Sequence, residues 1–349
     1  MTIVTISYNE LNSPESSPDL LEKIAQGFGS DDDCKGIVAI TDVPDYSQLR
    51  RKSLHLTHAL GTTPSDILQK LEDPDSYYSV GWSHGKEKLE ADKYDTGKGS
   101  FYFNPLIDEP IPAILKRDFD EEMTEEKAKF IEIAKRMYVA SKCDSYQENK
   151  LYDVIDKSLC CKARLLHYFP VSVDEHETNE GKSIKEQSFS DWCGWHNDHG
   201  SLTGLLPAMY FNEQGEEISC PDPDVGLYIK ARNGELFHAK IPSNALAFQI
   251  GETSQIHTGG LLQATPHAVR GCDPTKDGCK GVSREAFAVF MEPEYFGSME
   301  IPKGLSIEEA QKKDCEKHFP KNVKTLRSRW TGSDMNFGEF SEATFAAFY

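Results

Sequence analysis

The segment Trp195-His196-Asn197-Asp198-His199-Gly200 places a carboxylate two positions after a histidine, and the rest of the chain is interpreted around it. On a β-strand, residues i and i+2 point to the same face, so His196 and Asp198 would project together while Asn197 points away. An imidazole and a carboxylate side by side supply two ligands of a three-ligand metal site that leaves three positions open. Because an H-x-D pattern is common by chance, the remaining ligand and the surrounding motifs must carry the prediction.

A third ligand has to come from a distant strand. Three downstream histidines are candidates: His238, His257 and His267. His267 lies in Ala264-Thr265-Pro266-His267-Ala268-Val269, just before a loop and a strong β-forming run. His238 falls in a predicted hairpin, where we expect it to be exposed.

From about residue 163 the chain consists of short apolar runs separated by turn signals. Asn233-Gly234 and Pro242-Ser243-Asn244 are two such turns. The predicted strands are Ala163–Pro170, Gly204–Phe211, Gly226–Ala231, Leu236–Ile241, Ala245–Ile250 and Glu285–Met291. Several short strands of this kind predict a sandwich, jelly roll or barrel.

The first half of the chain is predicted to be largely helical. Ser17 and Pro18 suit the cap and first residue of a helix, a second helix ends near Gly61, and residues 120–142 form the strongest helix candidate. The run Gly36–Ile40 suits a buried strand. We therefore expect a mainly helical region over 1–150, a β domain over 155–295, and a tail over 296–349 with helices at 306–314 and 339–348.

Composition limits the classes of function. The chain has 349 residues and a formal net charge of −19, which argues against nucleic acid or an anionic membrane as the main partner. With no long apolar run and no signal peptide visible, we expect a cytoplasmic protein. Its nine cysteines are expected to be reduced; Cys272 and Cys279 flank a polar loop and are interpreted as two free thiols, with closure of that loop as the alternative.

These motifs occur in a characteristic order. A strand containing Tyr168 and Pro170 is followed by His196-x-Asp198-His199-Gly200, then by His267, and then by Arg284-Glu285-Ala286. Together with Thr203, Gly226-Leu227-Tyr228 and Ala245–Glu252, this order resembles the isopenicillin N synthase-like family of iron(II)/2-oxoglutarate dioxygenases. The similarity covers most of residues 15–295.

The resemblance implies a double-stranded β-helix, or jelly roll, with flanking helices. It implies that His196, Asp198 and His267 bind Fe(II), that 2-oxoglutarate and O₂ are cosubstrates, and that Arg284 anchors a carboxylate. A planar guanidinium holds a carboxylate bidentately, which suits that role. The implied partner is a small organic molecule acted on by a monomer, with hydroxylation as the default outcome and desaturation or ring closure as further possibilities.

Three departures from the family pattern concern the keto-acid pocket. The family's R-x-S serine is Ala286 here, and its N-Y-Y-P strand motif is His167-Tyr168-Phe169-Pro170. Either a modified set, Arg284 with His167 or Tyr168, binds 2-oxoglutarate, or the protein is an oxidase of the same fold that needs none. A non-catalytic ligand-binding relative and a zinc hydrolase are the remaining alternatives.

Two aromatic-rich stretches are candidates for the substrate-binding mouth of the barrel. They are Tyr77–Lys86 and Ser100–Pro105, in which His84 or Lys86 could meet an anionic substrate. Packing of these aromatic residues against the barrel is an equally good interpretation.

Overall fold

The computed structural model describes residues 2–13, 17–90, 93–106, 121–147, 149–173, 192–320, 322–332 and 334–348. Its strands are β1 (Val4–Ser7), β2 (Ile37–Thr41), β3 (Gly81–His84), β4 (Lys88–Glu90), β5 (Lys93–Tyr94), β6 (Lys98–Phe103), β7 (Cys161–Tyr168), β8 (Cys193–His196), β9 (Leu202–Leu205), β10 (Met209–Phe211), β11 (Glu217–Ile218), β12 (Gly226–Lys230), β13 (Leu236–His238), β14 (Leu246–Ile250), β15 (His267–Arg270) and β16 (Ser283–Met291). Its helices are α1 (Tyr8–Leu11), α2 (Pro18–Phe28), α3 (Tyr46–Gly61), α4 (Ser65–Leu68), α5 (Glu121–Ala140), α6 (Lys150–Asp156), α7 (Glu252–His257), α8 (Ile307–Gln311), α9 (Lys313–Glu316) and α10 (Phe337–Phe348). Short 3₁₀ turns cover Gln69–Leu71, Pro74–Ser76 and Leu326–Ser328.

Two sheets face each other and form the predicted jelly roll. The large sheet runs β1-β2-β14-β9-β16-β7-β6-β3, with β10 and β11 attached at β16, and the small sheet runs β13-β12-β15-β8. One apolar cluster contains side chains of both sheets, among them Ala247 and Ala286 from the large sheet and Leu227 and Val269 from the small one. The core of the β domain therefore lies between the two sheets.

The opposite, outer face of the large sheet is covered by helices. Phe248 of β14 and Phe287 of β16 share a buried cluster with Ile24 of α2 and Ile131 of α5. Because side chains alternate along a strand, the residues next to these phenylalanines point inward instead. Strand register therefore decides which side chains can reach the space between the sheets.

Strands from before residue 150 extend the large sheet. β6 pairs with β7, and β3 pairs in turn with β6, so the Gly81–Phe103 region adds to the wall of the jelly roll. β2 pairs with β14 on the other side. The N-terminal region thus contributes strands to the barrel as well as its helical cover.

One predicted strand is interrupted. The run Gly204–Phe211 forms two strands, β9 and β10, which are separated around Pro207. Proline has no N–H to donate to a ladder, which explains the break. β9 pairs with β14 and with the second half of β16, whereas β10 pairs with the first residues of β16.

The C-terminal segment packs as a separate cluster against α7. Trp330, Phe337 and Phe340 are buried with Ile256 of that helix. The predicted helix at 306–314 is two short helices, α8 and α9, and the one at 339–348 begins two residues earlier, at Phe337. No helix in the described ranges is both long enough and apolar enough to cross a bilayer. Cys272 and Cys279 are both buried free thiols.

Candidate metal centre and adjoining pocket

Two strands of the small sheet bring His196, Asp198 and His267 together. His196 ends β8 and pairs in register with His267, the first residue of β15. Oδ1 of Asp198 lies 3.8 Å from Nε2 of His196 and 3.7 Å from Nε2 of His267. Asp198 lies two residues beyond the end of β8, so the loop and not strand alternation aims its carboxylate at the histidines. Each residue offers one ligand atom, and these atoms lie within 4.8 Å of one another.

Neighbouring groups fix the orientation of all three side chains. Nδ1 of His196 lies 2.9 Å from the carbonyl oxygen of Gly194, to which it donates, so Nε2 is the nitrogen that faces Asp198. Nδ1 of His267 lies 2.6 Å from the side-chain amide of Gln249 on β14. Thr203 on β9 donates to Oδ2 of Asp198 at 2.7 Å, so Oδ1 is left to face the histidines. Such outer contacts orient metal ligands in proteins.

Burial and charge set the protonation of the two histidines. Burial, helped by the positive charge of His196, lowers the pKa of His267 to about 4, so His267 is neutral at pH 7. Burial acts to lower the pKa of His196 too, but Cys193 and Asp198 outweigh it and raise that pKa to about 9. His196 keeps 32% of its side chain exposed, against 9% for His267 and 6% for Asp198, so the centre opens on the His196 side.

The three donors fit a ferrous ion. Two imidazole nitrogens and one carboxylate oxygen on one side of a metal leave the other coordination positions free, which is the facial arrangement that non-haem Fe(II) takes. The opening beside His196 gives those positions access to small molecules.

Arg284 of β16 points into the space between the sheets. It is paired in register with Tyr168 of β7 and with Tyr210 of β10, and its guanidinium carbon lies 4.8 Å from the Tyr168 ring centroid. Arg284 is only 6% exposed, yet its Nε and Nη1 have no hydrogen-bond partner in the part of the chain that the structure describes. Two buried donors without acceptors are costly, and an anion bound there would reduce that cost.

Cys193 is a charged neighbour of both Tyr168 and His196. Tyr168 feels the charges of both Arg284 and Cys193, and burial raises its pKa. Sγ of Cys193 lies in turn 3.8 Å from Nδ1 of His196. Arg284 and Tyr168 lie on the inner face of the large sheet, and His196 and His267 belong to the small sheet that packs against it.

His167 does not join this group. Its neighbour Tyr168 faces inward, so His167 points to the outer face of the large sheet, where Nδ1 lies 2.9 Å from Oε1 of Glu285. We therefore remove His167 from the set of keto-acid ligands. Phe169 packs its ring 4.7 Å from that of His167 and 4.8 Å from that of His84, and Ala286 places a methyl group on the inner face two residues from Arg284.

The other candidate histidines are placed elsewhere. His257 is buried in α7 and contacts the carbonyl oxygen of Ser298. His238 is partly buried and stacks on Tyr228 at 4.4 Å, so the expectation that it is exposed is wrong. The stacking is a consequence of the β12/β13 pairing, which sets the two rings opposite each other.

A polar cavity lies in the wall that β3 and β6 add. Arg164 and Lys98 both contact Glu87 there, at 2.8 and 3.1 Å. Burial acts to raise the pKa of Glu87, but the two cations hold it well below its ordinary value. Lys86 also lines the cavity and pairs with Glu72 at 3.0 Å, so its charge is already balanced.

A buried ion pair supports the loop that carries Asp198. Glu252, the first residue of α7, accepts from Asn197 at 3.1 Å and from Nη2 of Arg329 at 2.6 Å. Its backbone N–H donates to the carbonyl oxygen of Asp198. Gly251 makes this approach possible, since a Cβ there would meet the carbonyl oxygen of Gly200 at 2.1 Å. Sequence reasoning missed Thr203, Gln249 and Arg329 as supports of the centre.

A scan against protein-family models and a search of curated proteins find no match. Solved structures do match. A full-length Neurospora crassa protein, in complex with alpha-KG and 5-formyluracil, has a TM-score of 0.66 at 17% identity, and the match covers 99% of this chain and 96% of that one. JOX2 in complex with 2OG, Fe and JA has a TM-score of 0.60 at 15% identity, covering 88% of this chain and 80% of its own.

The dioxygenase for auxin oxidation in rice is a third neighbour, with a TM-score of 0.55 at 16% identity and coverage of 88% and 89%. At these identities the likeness is one of fold. The chain therefore has the jelly-roll fold in which the Neurospora crassa protein binds alpha-KG and JOX2 binds 2OG and iron.

Proposed function

We propose that this chain is an iron(II)- and 2-oxoglutarate-dependent oxygenase, related to the isopenicillin N synthase-like family, that oxidises a small organic molecule. The observation that carries the proposal is Arg284, a 6% exposed cation on the inner face of the large sheet whose Nε and Nη1 have no hydrogen-bond partner among the described residues. The small sheet that packs against this face brings His196, Asp198 and His267 together. The occupants of the Neurospora crassa protein and of JOX2 support it, since both proteins hold the keto acid in this fold.

The chain's own residues would bind and orient the reactants. His196, Asp198 and His267 would hold Fe(II), and the bound metal with the keto acid would supply the activation of O₂. Arg284 would pair with the distal carboxylate of 2-oxoglutarate through two parallel N–H···O bonds. Tyr168 lies under the guanidinium and limits its movement. The buried ring of Trp192, whose centroid lies 5.7 Å from that of Tyr168, would shield this region from water.

The substrate would lie on the open side of the centre. His196 is the most exposed of the three proposed ligands. We infer a small molecule with both donors and acceptors from the paired cations and carboxylates of the wall built by β3 and β6. Hydroxylation is the simplest outcome at such a centre.

One observation favours a second candidate, an oxidase of the same fold that uses no keto acid. The inner face at position 286 carries a methyl group where a serine would supply a hydroxyl donor to the keto acid's carboxylate. If 2-oxoglutarate is bound, Arg284 would have to hold its carboxylate without the help of a hydroxyl at position 286.

Anaerobic titration of the Fe(II)-loaded protein with 2-oxoglutarate distinguishes the two. Direct chelation gives a metal-to-ligand charge-transfer band in the visible. We expect the band in the wild type and its loss, or a large rise in the required concentration, in Arg284→Met. Arg51→Met is the control, because Arg51 is exposed and pairs only with Glu217 among the described residues. Iron binding without a band at millimolar keto acid would favour the oxidase.

A further inference from the structure

A second group of metal-ligand side chains lies on the outer face of the large sheet. It consists of His58 on α3, His167 on β7 and Glu285 on β16. Glu285 and His167 are paired in register, and α3 crosses above them so that His58 points down at the carboxylate. We call these three residues the outer cluster.

Three polar atoms converge on one oxygen of the outer cluster. Oε1 of Glu285 lies 3.0 Å from Nδ1 of His58, 2.9 Å from Nδ1 of His167 and 3.1 Å from Oγ of Ser283. Nδ1 of His167 lies 3.0 Å from Oε2 as well, so this nitrogen is shared between the two carboxylate oxygens. Two imidazole nitrogens thus meet one carboxylate, and a cation could take the place of the protons between them.

The spacing of these atoms suits a small tetrahedral ion. In a zinc site with metal–ligand distances of about 2.0–2.1 Å, neighbouring ligand atoms are about 3.3 Å apart. The nitrogen–oxygen separations in the outer cluster are a few tenths of an ångström shorter, which small rotations of the two rings would correct.

The outer cluster is buried but has one open edge. The side chains of Glu285 and His167 are 0% and 4% exposed, whereas that of His58 is 15% exposed. An ion and its water ligand can therefore enter beside His58. On its closed side the His58 ring stacks on Phe211 at 4.0 Å, which fixes the direction of its nitrogens.

We propose that the outer cluster binds Zn²⁺. Two imidazole nitrogens and one carboxylate oxygen are a donor set that zinc prefers, with water completing the tetrahedron at the His58 edge. Ser283 would stay a hydrogen-bond donor to Glu285 and orient that ligand. The ion would join α3 to the two strands that carry Tyr168 and Arg284 on their other face. This site is separate from the His196 centre and does not depend on the proposed oxygenase activity.

The test uses Zn²⁺ itself and a variant that lacks the other centre. In His196→Ala/Asp198→Ala, metal-stripped protein is dialysed to equilibrium against Zn²⁺ and the bound metal is counted. We expect one zinc per chain in this variant, and none when Glu285→Gln or His58→Gln is added. His55→Gln is the matched control, because His55 lies one turn earlier on α3, is 37% exposed and contacts Glu217 instead.

Cobalt gives an independent measurement. Co²⁺ bound to the His196→Ala/Asp198→Ala variant should show the intense visible bands of a four-coordinate site, and His58→Gln, which changes a partly exposed residue, should abolish them with unchanged circular dichroism. Zinc that is absent from the double variant, or retained after both Glu285→Gln and His58→Gln, would overturn the proposal and leave the outer cluster as a hydrogen-bonded group only.

Discussion

Asp198 can present Oδ1 to both histidines because Thr203 occupies its other oxygen. Thr203→Val keeps the shape of the side chain but removes the hydroxyl, so Oδ2 loses its donor and the carboxylate is free to rotate. We expect Fe(II) affinity to fall by about 10- to 100-fold, the range for outer contacts of metal ligands. A competition titration with a chelator measures this. Thr203→Ser keeps the donor and should bind iron normally; equal affinity in both variants would show that Thr203 does not orient Asp198.

The proposed ligands themselves allow a stricter test. Substituting Ala for His196 or for Asp198 should remove bound iron and activity together, because the remaining two donors cannot hold the ion in one geometry. Metal analysis and O₂ consumption with 2-oxoglutarate are the two measurements. Activity retained in both variants would refute the ligand assignment.

For individual residues, the sequence predicts the three proposed metal ligands but not the side chains that hydrogen-bond to them. His196, Asp198 and His267 follow from motif order, but Thr203 and Gln249 have common residue types whose partners only folding selects. The position of His167, in contrast, could have been predicted from the sequence. His167 stands next to Tyr168 on one strand, so the alternation of side chains already implies that the two cannot point into the same pocket.

Helix α3 and strand β7 approach each other closely at Gly61. A Cβ at this position would lie 2.2 Å from Cγ of His167, well inside contact distance. Gly61→Ala should therefore destabilise the protein by about 1–3 kcal/mol through overpacking, which outweighs alanine's better helix propensity of about 1 kcal/mol.

Urea unfolding followed by circular dichroism measures this change. Ala59→Ser on the exposed side of the same helix is the control and should stay within about 0.5 kcal/mol of wild type. A stabilised Gly61→Ala would mean that α3 can move away from β7 without loss.

Apolar periodicity predicts most elements but not all their limits. Helices α2, α3 and α5 and strands β7, β12, β14 and β16 lie close to the predicted ranges. Pro207 divides a predicted strand because its backbone cannot donate, and the short helices α8 and α9 meet at Lys312, whose φ of 51° no helix continues. The strands β3 and β6 lie in stretches singled out only for their aromatic content.

Across the whole molecule, the C-terminal segment is joined to the metal centre by charge. Arg329 and Glu252 form an ion pair with side chains 3% and 1% exposed, and Glu252 also holds Asn197. Arg329→Met would leave a buried carboxylate without its cation, at a cost of about 3–5 kcal/mol. We expect a lower unfolding midpoint in urea and weaker iron binding together.

Lys157→Met provides the comparison for this change. Lys157 is 68% exposed and pairs with Asp153, whose side chain is 39% exposed, so its loss should cost about 1 kcal/mol or less. If the two variants behave alike, the segment is attached by its apolar cluster alone. Nothing in the spacing of the sequence links Arg329 to Glu252, because the pair depends on how two distant segments dock.

The position of Arg329 in the chain also sets an order of events during synthesis. At about 5–20 residues per second, the ribosome reaches Arg329 about 3–12 seconds after His267, the last of the three proposed ligands to be made. In that interval the nascent chain contains all three proposed ligands, but Glu252 lacks its counter-charge. We expect the loop that carries Asp198 to become firm only once the segment carrying Arg329 has docked, so that loading of the proposed iron would follow that docking.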